Sequence, residues 1–302
     1  MDFDIKKLLF TVLGLLIVLN WGLLMSSMMR KISARVAKRY GIRWFQPWVD
    51  LVKNYSIRSQ ISHGVIFYLG PVFRLSGGVG LFLFMPMIVG SALWTNYSFH
   101  GDLILILYFQ FFGMLGMALG ASEGGHPHSF IGISRGLAQF TTVEVPLTLA
   151  IISLAIQYHS LSISEIVLAQ QGGIAHWTAV TNPFATAAGM LSLLGILRHS
   201  PFNLVKAPNE IPIGPPTEYH STFLGVLRTN AAILHVVEAV LFMNLFFGGA
   251  TSWPELIIKT FFIYFWSVFV GMVFPRFRIE QSVVWFLKVP LLLGIIAVIM
   301  YM

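Results

Sequence analysis

The sequence contains no cysteine in 302 residues. That excludes disulfides, thiolate-ligated zinc, cysteine-ligated iron–sulfur clusters and cysteine nucleophiles from this chain. Charge is scarce as well: Asp, Glu, Lys and Arg make up 10 % of the residues, where soluble domains carry about 25 %. Acids are the scarcer sign, 12 against 19 Lys and Arg, for a formal net charge of +7. The abundant residues are apolar: 56 % are hydrophobic and 14 % aromatic, and the mean hydropathy is +0.78. A chain with so little polar surface cannot be a water-soluble globule, and it reads as an all-α polytopic membrane protein. No internal repeat, low-complexity tract or soluble domain interrupts it, so residues 1–302 are expected to form a single transmembrane domain. The basic excess does not point to nucleic acid, because its placement follows membrane topology.

A helix needs about 20 apolar residues to cross the ~30 Å hydrocarbon core. About eight stretches qualify, near residues 8–29, 72–94, 102–121, 134–156, 179–198, 223–247, 256–274 and 284–302. The first is not read as a cleavable signal, because a basic segment rather than a small-residue cleavage site follows it. That segment, 30–63, holds Arg30, Lys31, Arg35, Lys38, Arg39, Arg43, Lys53 and Arg58, is amphipathic, and reads as an interfacial helix pair. With it on the cytoplasmic side, only Lys6, Lys7 and Lys259 fall outside, as the positive-inside rule favours, while Asp2, Asp4, Asp102, Glu165 and Glu255 mark the outer side. Both termini are therefore expected outside, in a multi-pass chain of the cell (inner or plasma) membrane.

An ionised side chain at mid-bilayer costs about 2.5–3.5 kcal/mol on insertion scales, so each one needs a reason. Glu144 lies near the centre of the fourth span. Arg228, His235 and Glu238 recur at i, i+7 and i+10 in the sixth, one face of a helix. Two readings stand: these groups pair with one another across the bundle, or they mark a proton or ion path. His126 and His128 flank Pro127, and an H-x-H pair alone is weak support for a metal.

The loop 199–222 holds Pro201, Pro208, Pro212, Pro215 and Pro216, too many for a helix. Phe202, Leu204, Ile211, Ile213 and Tyr219 are too apolar for open solvent, which favours a loop docked on the bundle over a solvated linker. It carries Glu210 and Glu218. The cations Arg35, Lys38, Arg39 and Arg43 recur at helical spacing, which suits lipid headgroups and acidic partner faces and equally suits an ordinary solvated face.

At this loop the residues become recognisable. P-F-N-L followed by N-E and G-P-P-T-E-Y resembles the signature loop of the complex I H-subunit family (mitochondrial subunit 1), which typically reads P-F-D-L-x-E-A-E-x-E-L and then E-Y. Four further stretches agree in order. Gly41, Gln46, Pro47, Asp50 and Lys53 resemble the family's first cytoplasmic loop, and Gly132, Arg135, Gln139 and Glu144 its G-x-x-R, Q and Y-E segment. Leu245-Phe246-Phe247-Gly248-Gly249 is similar to its L-F-x-G-G stretch. Pro275-Arg276-Phe277-Arg278-Ile279-Glu280-Gln281 with Trp285, Lys288 and Pro290 resembles its P-R-x-R-x-D-Q, W-K and P pattern.

Departures from that pattern indicate a branch. Asn203 stands where the family has Asp, Lys206 and Pro208 where it has Glu, and Ala231 where the sixth span usually carries Glu. Tyr40 and Ile42 also break its basic-Gly-Pro pattern. Ser122-Glu123-Gly124-Gly125-His126-Pro127 resembles instead a loop of formate hydrogenlyase and other membrane-bound [NiFe] hydrogenases, a branch that includes archaeal sulfur-reducing relatives.

The resemblance implies a membrane subunit of a complex I-like oxidoreductase that anchors the peripheral electron-transfer arm and couples its redox step to proton or sodium translocation. This chain would bind no cofactor, with iron–sulfur clusters, and nickel–iron in a hydrogenase, held by partners. Those partners would be hydrophilic iron–sulfur and large catalytic subunits on the cytoplasmic side, other antiporter-like membrane subunits, and lipid. Glu144 would be the buried relay carboxylate with Arg135 toward its cytoplasmic mouth, and Glu238, two turns beyond Ala231, would restore the carboxylate lost there; His235 and Arg228 would extend that path. Asn203, Glu210, Glu218 and Tyr219 would face the arm. Arg35, Lys38, Arg39, Arg43, Asp50, Lys53, Arg276, Arg278 and Glu280 would meet partners or lipid. Two alternatives stay open: the H subunit of a quinone-reducing NADH dehydrogenase, and a stand-alone secondary ion transporter, which usually shows the inverted repeats that are missing here.

Overall fold

The computed structural model describes residues 5–58, 63–91, 97–206, 210–211 and 213–302; Asp2, Asp4, Pro208 and Pro212 lie outside them. Among the described residues there is no strand. Seven helices are long and apolar enough to cross a membrane: α1 (Ile5–Val36), α3 (Val65–Phe84), α4 (Asp102–Glu123), α5 (Pro127–Tyr158), α9 (Ser221–Phe246), α10 (Trp253–Val273) and α11 (Ile279–Tyr301). The fifth apolar stretch, 179–198, is interrupted. A single turn, α7 (Thr178–Thr181), and the 14-residue α8 (Pro183–Ile196) meet at Asn182, whose side chain accepts from the Ala185 N–H and caps α8. Alone, α8 is ~21 Å long and too short to span; with α7 the pair reaches about 28 Å.

Helix α9 is the axis of the bundle. From Ala232 to Phe246 all but His235 are buried, as expected for a helix that is apolar on all sides. Helices α3 and α4 approach along a glycine seam, where a Cβ on Gly77 would sit 2.7 Å from the Gly113 Cα and one on Gly70 2.8 Å from the Gly120 Cα. Small residues allow such close backbone contact between membrane helices.

Two expectations are corrected. The second span is α3, which starts at Val65 and ends at Phe84, not 72–94. Pro71 sits inside it, and the apolar run after Phe84 is a buried loop tied down by the Val89 N–H to the Ala250 carbonyl (2.9 Å). Among its described residues the basic segment also holds one separate helix rather than a pair. Helix α1 continues to Val36, Lys38 takes a left-handed conformation (φ 56°), and only α2 (Gln46–Ser56) follows, so Lys38, Arg39 and Arg43 lie off the helices.

Candidate functional site

The two ends of the bundle are built differently. At the end carrying Asp102, Glu165 and Glu255, side chains close over the backbone. Gln170, fully buried just beyond α6 (Ile163–Ala169), accepts from the Thr178 and Gly248 N–H groups (3.1 Å each) and donates to the Asn244 (3.0 Å) and Leu245 (3.3 Å) carbonyls. Lys259 pairs with Glu255 (2.5 Å) and donates to the carbonyls of Phe247 (2.8 Å) and Gly249 (2.7 Å). Gly248 and Gly249 have φ of 70° and 66°, which explains the glycine pair that follows α9. Asp102 accepts from the Ile163 N–H (2.8 Å) and from Ser98.

Midway through the bundle lies a narrow crevice lined by Arg74 of α3, Gln110 of α4, Phe140 of α5, Arg198 just after α8 and Glu238 of α9. Gly77 and Gly113 of the α3–α4 seam and Gly78, which faces α9, also line it, and a Cβ on Gly113 would sit 3.5 Å from the Arg74 guanidinium. Both guanidinium groups interact electrostatically with Glu238. No salt bridge within 4 Å joins them to it among the described residues, and the Arg198 guanidinium instead lies 3.6 Å from the Met114 sulfur. Gln110, 5 % exposed, has no partner for either amide atom.

A string of polar groups leads from the loop toward Glu238. His199 Nδ1 lies 3.1 Å from Ser267 Oγ, and Tyr264 Oη lies 3.3 Å from His199 Nε2 and 3.4 Å from His235 Nδ1. His235 is one turn from Glu238. Burial, then Arg198 and Lys206, push the His199 pKa down to about 4, so its ring is neutral at physiological pH. Tyr264 has one hydroxyl proton, so one imidazole must offer it a lone pair while the other offers an N–H.

Of the sixth-span stripe, His235 and Glu238 thus join this site, while Arg228 is exposed near the start of α9. Glu144 does not join it. It is half-buried, one turn beyond Phe140 of the crevice wall, and its carboxylate has no hydrogen bond or ion pair among the described residues. The reading in which it pairs across the bundle is thereby not the one the geometry offers. Arg74, Arg198, Gln110, His199 and Tyr264 were not singled out in the sequence.

The 199–222 loop packs over the opposite end. Phe202, Leu204, Val205, Ile211 and Tyr219 are buried, whereas Ile213 is exposed and Asn203 half-buried. Gln139 donates to the Phe202 carbonyl (2.8 Å), and the Phe277 N–H to that of Pro201 (3.1 Å). Tyr219 stacks on Phe67 (4.1 Å between centroids) and donates to its carbonyl (2.8 Å). Arg135 pairs with Glu210 (2.5 Å) and, with help from Arg276 and Arg278, holds that exposed carboxyl below its ordinary pKa. Glu218 Oε1 is 3.7 Å from His63, and its Oε2 is buried without a partner. Arg35, Lys38, Arg39, Arg43, Lys53, Arg278 and Glu280 are exposed, Arg276 is half-buried, and Asp50 accepts from Gln46 (2.9 Å). His126 accepts from the His128 N–H (3.1 Å) and caps α5, and no group of three or more candidate metal ligands forms among the described residues.

Fold and site together define a multi-pass membrane protein with ionisable groups buried at mid-bundle. The model of the family described as NADH dehydrogenase matches residues 8–302. The chain is 28 % identical over 288 residues to the NADH-quinone oxidoreductase H subunit 2 of Syntrophobacter fumaroxidans, covering 87 % of this chain and 86 % of that one. It is 25 % identical to the NADH-quinone oxidoreductase H subunit of Protochlamydia amoebophila, over 88 % of each. It also superposes on a chain of the membrane-bound sulfane sulfur reductase, an archaeal respiratory membrane complex. That match has a TM-score of 0.92 and 30 % identity, over 99 % of this chain and 100 % of the other. The chain belongs to the NADH dehydrogenase H-subunit family. It is a membrane subunit of a complex I-like oxidoreductase, and other subunits of such a complex are its partners.

Proposed function

We propose that this subunit anchors the peripheral electron-transfer arm of a sulfane-sulfur-reducing or hydrogenase-type complex and couples its redox step to proton or sodium translocation. The observation that supports this most is the match along nearly the whole chain to the sulfane sulfur reductase, at a TM-score of 0.92. The iron–sulfur clusters, and nickel–iron in a hydrogenase, belong to the partner subunits. The basic end, with the docked loop and Glu210, Glu218, Asn203 and Tyr219, faces the arm on the cytoplasmic side of the plasma membrane; both termini lie outside. Arg35, Lys38, Arg39, Arg43, Asp50, Lys53, Arg276, Arg278 and Glu280 meet partner subunits or anionic lipid there. Glu238 carries charge at mid-bundle and exchanges protons through His235, Tyr264 and His199, while Glu144 offers a second carboxylate one turn past the crevice wall and Arg135 and Arg228 lie toward the basic end.

Nickel and iron measured on the intact complex test the type. Iron without nickel supports the sulfur-reducing branch, and nickel with iron the hydrogenase. The names of the curated relatives favour a second reading, the H subunit of a quinone-reducing complex. It predicts iron without nickel together with quinone-dependent turnover. In vesicles, Glu144→Gln is expected to lower ion uptake per electron pair and, since the carboxylate has no partner, to shift stability by less than about 0.5 kcal/mol. Unchanged uptake would reduce the subunit to an anchor. Glu238→Gln is expected to impair uptake while the complex still assembles, and full pumping would remove Glu238 from the path.

A further inference from the structure

We infer that the crevice between Arg74, Arg198 and Gln110 is a binding site for a small monovalent anion of halide size. Charge is the first reason. Arg74 and Arg198 face one shared carboxylate, Glu238, which leaves the crevice one positive charge in surplus even when that carboxylate is ionised. Lys206, on which Arg198, Arg30, Arg74 and Arg228 all act electrostatically, lies in the same cationic field. An uncompensated charge away from water is costly, and an arginine stays protonated. Water in the crevice would supply hydrogen bonds but no counter-charge.

Hydrogen bonding is the second, independent reason. Gln110 is buried, lines the crevice, and has neither amide atom paired. Its NH2 group would donate to the anion. Arg198, whose contact with the Met114 sulfur is a weak one for a guanidinium, would turn a donor to the same point. The crevice is narrow and is also lined by Phe109, Phe140 and Leu234, which suits a small ion. The bound anion neutralises the arginines beside Glu238, so the site sets the charge balance in which that carboxylate works. This assignment goes beyond the coupling role and does not depend on it.

The test uses the intact complex with chloride exchanged for bromide, crystallised and measured at the bromine absorption edge. An anomalous peak between the Arg74 and Arg198 guanidinium groups is expected, and it should weaken in Gln110→Leu. A flat difference map at that position, or a partner subunit's carboxylate occupying it, would overturn the site. Should crystals fail, the thermal midpoint of the complex in sodium bromide against sodium gluconate at equal ionic strength decides. Bromide should raise the midpoint of the native complex, and the rise should shrink in Gln110→Leu. An equal rise in both, or none in either, would count against the anion. Neither readout requires pumping, so loss of uptake in Glu144→Gln bears on the coupling role alone.

Discussion

The end of the bundle that carries Asp102 and Lys259 is finished; the end that carries Arg135 and the docked loop is not. At the first, Gln170 and Lys259 satisfy the backbone where α9 stops, and the acids there have partners: Asp102 with Ser98 and Ile163, Glu255 with Lys259. At the second and at mid-bundle, buried polar atoms without partners gather: Gln110, Ser129, the Gln139 Oε1, the Glu218 Oε2, Asn230, the Arg276 Nε and Ser282. Among the described residues, Asn244 Oδ1 alone of these atoms belongs to the closed end. Native structures leave few such atoms, so the two ends differ in how far the chain satisfies its own polar groups. The closed end is self-sufficient structure. The open end carries the docked loop and the exposed cations, and it leads inward to the crevice.

The largest expected effect breaks the closed end. Gln170→Leu strands the Thr178 and Gly248 N–H groups in a dry interior and is expected to cost about 3 kcal/mol. Thermal unfolding of the purified complex would measure it. The complexes that survive should pump with an unchanged number of ions per electron. An altered ratio would mean that the closed end also takes part in coupling.

A smaller effect is expected at the open end. Tyr219→Phe keeps the stack on Phe67 but removes the hydroxyl that ties the loop to α3, a loss of about 1 kcal/mol. Burial pushes the Tyr219 pKa upward, so the hydroxyl stays a donor throughout the physiological range. Faster amide exchange over residues 201–206, with none at Gln170, would place the effect at one end. Uniform loosening would erase the distinction between the ends.

Much of this was legible in the sequence, and the omissions have one cause. Apolar length and the placement of cations located the spans, and proline content with apolar side chains described the 199–222 loop. Boundaries were the weak point. Starting the second span at residue 72 placed Arg74 at its rim, where a snorkelling cation needs no explanation. Starting it at Val65 places the same arginine in the middle of a helix, where it demands a partner. Arg198 was hidden in the same way at the end of the fifth span. Gln110, in an apolar helix, gives no signal until its missing partners are seen. The corrected frame also separates Glu144 from Glu238, two carboxylates that look alike as isolated acids in apolar runs.

The smallest expected effect concerns the ion pair that ties the loop to α5. Because Arg135 holds the Glu210 carboxyl below its ordinary value of 4.5, the pair is fully formed above that pH and is lost as pH falls through the lowered value. Glu210 is exposed, so the contribution is small and screened by salt. Amide exchange at Glu210 and Ile211, followed as the buffer is taken below pH 4.5, should rise in the native complex and rise further at high salt. In Arg135→Gln the loop should exchange faster at neutral pH and show little acid-dependent step. A step of the same size in that variant would assign the acid response to Arg276 and Arg278, the other cations acting on Glu210. The loop would then be held from the α10–α11 connection rather than from the helix that carries Glu144.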